Sequence, residues 1–229
     1  MTPLEHRFKI LNVGSNDDRT TPARIRDAAI SYVGKHGWDR ATSRQIAAEA
    51  GVPVGLVNYH FGSKDGLRRA CDDWVIERVG EDKGLLLSSG PFPQLDTYIE
   101  DHPELRPMSA YIAMSLRHGG SVADHLFESM VTLTMDTLEL AADAGTMRRF
   151  DDPYAMAVLL VAYGAGASLF GPTIARLLGG TDLLDPATYA RYGRTTIDLF
   201  TKPLLTHDPY QQSLPTPSDP DLPTTKDTP

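Results

Sequence analysis

The feature that most constrains this chain is a pair of short helical segments separated by a single turn glycine. Thr42-Ser43-Arg44-Gln45 has the Thr-x-x-Gln form of a capping box, in which Thr42 and Gln45 reciprocally satisfy free backbone N–H groups. A helix begun there runs to Ala50 and ends at Gly51, whose lack of a Cβ permits a left-handed C-cap. Pro53 fits the first turn of the next helix, Val54 to about His60. Ser43–Ala50 and Val54–His60, joined through Gly51, read as a helix-turn-helix.

The flanks are equally punctuated. Thr21-Pro22 sets a capping residue before a proline at the first helical position, and Ile25, Ala28, Ala29, Tyr32 and Val33 then recur at amphipathic spacing until His36-Gly37. Ser63 caps a fourth helix through Leu67, Ala70 and Trp74 to Val79. From Arg19 to Arg69 the chain carries nine basic and four acidic side chains, a balance of +5, whereas the whole chain is at −8 and the remainder at −13. Opposite charge on two parts of one chain points to an anion-binding module joined to a body with another task. A helix-turn-helix suits that anion to be DNA: its first helix crosses the phosphate backbone and its second enters the major groove, ~12 Å wide.

Beyond Gly80 the stretch Gly84–Gln94, with Gly90-Pro91-Phe92-Pro93, reads as a loop. Helical patterns resume over about 96–100, 104–117, 122–144, 153–178 and 186–200, without two-residue alternation or internal repeat. The expected fold is all-α. Its parts are a flexible N-terminal arm over 1–18, a DNA-binding domain over 19–79 with the helix-turn-helix at about 42–61, a helical body over 80–202, and a tail over 203–229. Seven of the 17 prolines lie in that tail, which has too little apolar surface to offset the entropy of ordering and is expected to be disordered.

Several classes are disfavoured. With 41% hydrophobic residues the chain has the apolar mass for a core, and its single cysteine, Cys71, excludes an intrachain disulfide and a multi-thiolate zinc site. The N-terminal residues lack a signal-peptide core, so a reducing cytoplasm is the expected location. Tyr154–Ala175 is 22 residues without a formal charge, but Gly171-Pro172 interrupts it, and it reads as a core or interface helix, not a membrane span. No P-loop, Gly-x-Ser-x-Gly or His-Glu-x-x-His motif is present, so no enzyme activity and no cofactor are expected. His118, His125 and Glu128 are neighbours in sequence, yet Gly119-Gly120 leaves a common helical face unassured, and no metal is expected. Cys71 reads as a buried small hydrophobe.

The run Ile46-Ala-Ala-Glu-Ala-Gly51-Val-Pro-Val-Gly55-Leu-Val-Asn-Tyr59-His60-Phe61-Gly-Ser63-Lys64-Asp-Gly-Leu67 resembles the TetR family of bacterial transcriptional regulators. Its pattern is Ile-Ala-x-x-Ala-Gly-Val, then Gly, then Tyr-His-Phe and Ser-Lys-x-x-Leu, with Thr42 and the helix ending at His36-Gly37 in register. The resemblance covers residues 20–79 closely and, over 95–200, extends to helix count and length. It departs at Asn58, where many members carry an aromatic residue, and at Pro53, where Ser or Thr is frequent.

Candidate DNA contacts follow. The Arg44 guanidinium presents a planar fork matching O6 and N7 of guanine, and the family position reaches bases. Thr42 and Ser43 offer hydroxyls and free N–H groups to a phosphate at a helix N-terminus. Val54, Gly55 and Leu56 allow close approach and thymine-methyl contact, Asn58 can pair bidentately with adenine, and Tyr59 and His60 share the helix. Tyr59 and Lys64 match family positions that hold the DNA backbone.

For the body, the resemblance implies a homodimer through helices at about 153–178 and 186–200, with Ala155, Leu159, Ala162, Gly166 and Leu169 along one side. It also implies an unidentified small-molecule effector. Met108, Tyr111, Met114, Met130, Leu133, Met135, Tyr163 and Phe170 are the candidate lining, against the plainer reading of core packing. The expected function is a repressor on a pseudopalindromic double-stranded operator, released by that effector. The rival is a helical ligand-binding or protein-interaction protein that has lost DNA binding.

Overall fold

The computed structural model describes residues 20–87, 95–202 and 204–207. The expected arm over 1–18 and the tail apart from 204–207 lie outside the described residues; of the expected Gly84–Gln94 loop, residues 84–87 are helical instead, as the end of the fourth helix, and 88–94 lie outside the described residues. Among those described there are nine helices and no strand, as the patterning predicts: α1 Thr21–His36, α2 Ser43–Ala50, α3 Val54–Phe61, α4 Lys64–Leu87, α5 Leu95–Asp101, α6 Leu105–His118, α7 Gly120–Asp143, α8 Pro153–Leu177 and α9 Pro186–Thr201.

Helix α1 begins at Thr21 with Pro22 second, so the cap expected at Thr21 falls instead on Thr20, whose side chain makes no capping bond; the helix buries Ile25, Ala28, Ala29, Ile30 and Val33, while Tyr32 is half-buried. That stripe packs on α2 and, more extensively, on α6. Residues from α1, α2, α3 and α4 share one core with Met108, Tyr111 and Ile112 of α6, and Trp38 meets Tyr111 edge-on at 6.1 Å. A second core lies between α7 and α8, where Leu126, Met130, Val131 and Leu138 face Ala157 and Val161. Each fully buried aliphatic side chain contributes about 1.5–3 kcal/mol relative to exposure, so the two cores dominate the stability of the bundle.

Two expectations are corrected. The fourth helix does not stop at Val79 but continues to Leu87, and a boundary at 79/80 therefore falls inside α4. Gly80 is a packing residue and not a breaker: a Cβ there would stand 3.1 Å from Leu133 Cδ1, so the glycine lets α7 lie close against α4. The core of the head is not closed by α1–α4 alone, because Met108, Tyr111 and Ile112 of α6 belong to the same cluster.

Helix α8 is long and apolar enough to cross a bilayer by length and composition, and only 22% of its most apolar window is buried within the chain. Ala157, Val161, Ala165, Gly171 and Ala175 point inward; Leu159, Tyr163, Phe170 and Leu177 point outward.

Candidate nucleic-acid interface

The start of α2 is built as the sequence predicts. Gln45 N–H donates to Thr42 Oγ1 (3.3 Å) and Thr42 N–H to Gln45 Oε1 (3.1 Å), closing the capping box. Ile46 and Ala47 anchor the helix in the core, and Arg44, between the cap and these anchors, is exposed. Thr42 is exposed and Ser43 half-buried, so the N-terminal turn of α2 is open to solvent.

Gly51 adopts φ 65° and ψ 39°, and Val52 N–H reaches back to the Ala47 carbonyl at 3.0 Å. This left-handed stop turns the chain into α3. The Arg24 guanidinium on α1 donates to the Ala50 carbonyl at 2.9 Å and to that of Gly51 at 3.3 Å, locking the turn onto α1. The sequence reading missed this clamp, since a single arginine 26 residues upstream carries no periodic signal.

On α3 only Val57 is buried; Leu56 and Phe61 are half-buried against the same core. Val54, Gly55, Asn58, Tyr59 and His60 are exposed, Tyr59 by 80%, with its ring 5.0 Å from that of His60. The anchor at Val57 thus leaves the candidate base-reading residues on the free side of α3. Ser63 caps α4 by accepting from Gly66 N–H at 3.0 Å. The Lys64 ammonium donates to the Trp38 carbonyl, so this side chain ties the start of α4 to the α1–α2 loop while its residue stays exposed.

The candidate effector residues do not share one place. Met108 and Met130 line a cavity of about 250 Å³ between α4, α6, α7 and α8. Tyr111 lies outside it, with its hydroxyl bonded to Asp72, and Met114 abuts Gly37 in the head. Leu133 packs on Gly80, and Met135 is half-buried in the second core. Tyr163 bonds Thr196 at 2.9 Å and stacks on Tyr192 at the α8–α9 surface, where Phe170 is 62% exposed. Ser109, Gly164, Ala165 and Ser168, absent from the expected lining of large adaptable side chains, are the small residues whose facing positions leave the space.

Over residues 25–71 the chain matches the family model described as bacterial regulatory proteins, tetR family, and over 103–206 the Tetracyclin repressor-like, C-terminal domain. It is 38% identical over 152 residues to the HTH-type transcriptional regulatory protein RaaS of Mycobacterium tuberculosis, covering 66% of this chain and 71% of RaaS. With the HTH-type transcriptional dual regulator CecR of Shigella flexneri it shares 43% identity over 54 residues, 24% of either chain. Solved structures of similar fold include a TetR-family transcriptional regulator from Rhodococcus sp. (TM-score 0.56, 21% identity, 77% of this chain and 97% of that one). Another is the fatty acid degradation regulator FadR of Bacillus halodurans (TM-score 0.53, 15% identity, 75% and 97%). Because likeness extends through the head and the body, and to most of the length of RaaS, the chain belongs to the TetR family and is a helix-turn-helix DNA-binding transcriptional regulator.

Proposed function

We propose that the protein is a cytoplasmic homodimeric repressor that reads a two-fold symmetric operator through α2 and α3 and releases it when a small molecule occupies the body. The observation that carries the dimer is the outer face of α8 and α9. Leu159, Phe170 and Leu177 are 64%, 62% and 69% exposed, and Ile197 and Phe200 of α9 are 57% and 54% exposed. Apolar side chains in that number on two adjacent helices are far more than scattered surface residues, and a second copy covers them isologously. Such a pairing sets the two recognition helices at a fixed separation, which for a helix-turn-helix dimer is about 34–36 Å.

In this reading Arg44 reads a base, Thr42 and Ser43 hold a phosphate, and Val54, Gly55, Leu56, Asn58, Tyr59 and His60 approach the groove. Lys64 adds charge beside the backbone. Selection of bound sequences from a random duplex library tests it, with salt dependence measured on the winning sequence. A two-fold motif with half-sites about one turn apart is expected. Weak, sequence-independent binding that vanishes at moderate salt would overturn the operator reading.

A further inference from the structure

The cavity under α8 has a chemistry that restricts its occupant. Among its lining residues none is ionisable, and the only side-chain hydroxyls are those of Ser109 and Ser168. The remaining wall is aliphatic or thioether, with Met108 and Met130 on facing helices able to adjust to an irregular shape. An ionised group placed there finds no counter-charge among the lining side chains, so what it loses in hydration is not repaid. Since a cavity of about 150 Å³ holds one benzene, a volume of about 250 Å³ suits a molecule of about ten non-hydrogen atoms.

One side of the cavity is closed by Leu184, in the connection between α8 and α9. That connection is held by a single side chain from α6: the Arg106 guanidinium pairs with Asp182, lies 3.9 Å from Asp185 and donates to the Leu184 carbonyl at 3.3 Å. Arg106 is itself 44% exposed, so its charge faces solvent and the loop, and the cavity interior stays neutral.

We propose that this cavity binds a compact, uncharged, mainly apolar molecule with one hydrogen-bonding group for Ser109 or Ser168, entering past the Leu184 loop that Arg106 clasps. That this molecule is the effector rests on the release reading above. The test uses the full chain and two ligands with the same naphthalene ring, 2-naphthol, neutral at neutral pH, and 2-naphthoate, an anion, with neutral 2-naphthamide, of the same shape as the anion, as the control for its larger size. Calorimetry is expected to give one 2-naphthol per protomer and at least tenfold weaker binding of the anion.

Gly164→Phe fills the cavity from a helix position where a Cβ meets nothing within 4 Å, and is expected to weaken 2-naphthol at least tenfold. Ser109→Leu, from the opposite helix, is expected to do the same if the first variant disturbs α8. Arg106→Met is expected to raise the association and dissociation rates together by severalfold. Equal affinity for the anion, no binding of 2-naphthol, or unchanged affinity in both filled variants would overturn the proposal. Operator affinity measured in parallel separates the two readings. Symmetric operator binding without 2-naphthol binding sinks the cavity proposal alone. Binding of 2-naphthol that leaves operator affinity unmoved supports the cavity proposal and sinks release through this site.

Discussion

Tyr111 on α6 donates its hydroxyl to the Asp72 carboxylate on α4 across 2.6 Å, with Tyr111 completely buried and Asp72 2% exposed. The bond joins α6 of the body to α4, the last helix of the head, beside the edge-on Trp38. Burial pushes the Asp72 carboxyl above its ordinary range, opposed by the Tyr111 hydrogen bond and by the charges of Arg68 and His125, and reinforced by Asp73. Burial likewise pushes the Tyr111 phenol and the neighbouring Cys71 thiol upward, so Cys71 is an unreactive packing group.

A pH-dependent stability follows from Asp72. Its folded carboxyl keeps a proton to higher pH than the unfolded one, so the native state binds more protons in the window from about 3.8 up to the raised folded value. Its stabilising contribution is present below that window and is lost as pH rises through it. Asp72→Asn does not titrate, and its Tm relative to the parent is expected to shift in the variant's favour as pH climbs through the window. Tyr111→Phe, which leaves the buried carboxyl without its donor, is expected to destabilise by about 1–3 kcal/mol. Thermal melts across pH decide it; a pH-independent gap between Asp72→Asn and the parent would refute the assignment.

Two glycines of the head should respond oppositely. A Cβ on Gly66 would sit 2.1 Å from the Phe61 carbonyl oxygen, so Gly66→Ala forces the α3–α4 corner apart and is expected to cost about 1–3 kcal/mol. Gly55 has nothing within 4 Å of its built Cβ and lies on the exposed face of α3. Gly55→Ala is expected to hold or raise stability, by up to about 1 kcal/mol, while weakening operator binding. Chemical denaturation and duplex titration of both variants separate the packing role from the contact role.

Arg44 and Lys64 are expected to differ in kind. Arg44→Ala removes an exposed fork beside the α2 cap and is expected to cost about 1–3 kcal/mol of operator affinity with a change in base preference at one position. Lys64→Ala removes a charge that also ties α4 to the Trp38 carbonyl. Its expected effect is nearly uniform across sequences, with the salt slope reduced by about 1. If neither variant changed binding, the interface would have to be placed elsewhere on the head.

The outer face of α8 gives a test of assembly. Leu159→Glu combined with Phe170→Asp places charges on exposed apolar positions that do not touch either core. Sedimentation is expected to show the 25.1 kDa monomer with its helical spectrum intact, and operator affinity to fall by at least about thirtyfold. A double variant that still sediments as a dimer would move the interface off this face.

The head was legible in the residues because its information is local. Capping pairs, a turn glycine and prolines near helix starts act within four residues of one another, and Thr42, Gly51 and Ser63 each sit where that chemistry put them, while Pro53 stands just before the first turn of α3, at its N-cap. The body was legible as helices but not as a site. Helix α8 is apolar on every side, so its periodicity could not say that Val161 and Ala165 face in while Tyr163 and Phe170 face out. That division comes from the approach of α6 and α7, which are distant in sequence. The same approach converts Gly80 from an apparent stop into a packing contact, and it leaves an opening where small residues meet. Local hydrogen bonding therefore wrote the recognition element into the chain, whereas the cavity, the Arg24 clamp and the Asp72–Tyr111 bond exist only once distant helices pack, because each needs atoms that sequence spacing alone cannot bring within reach.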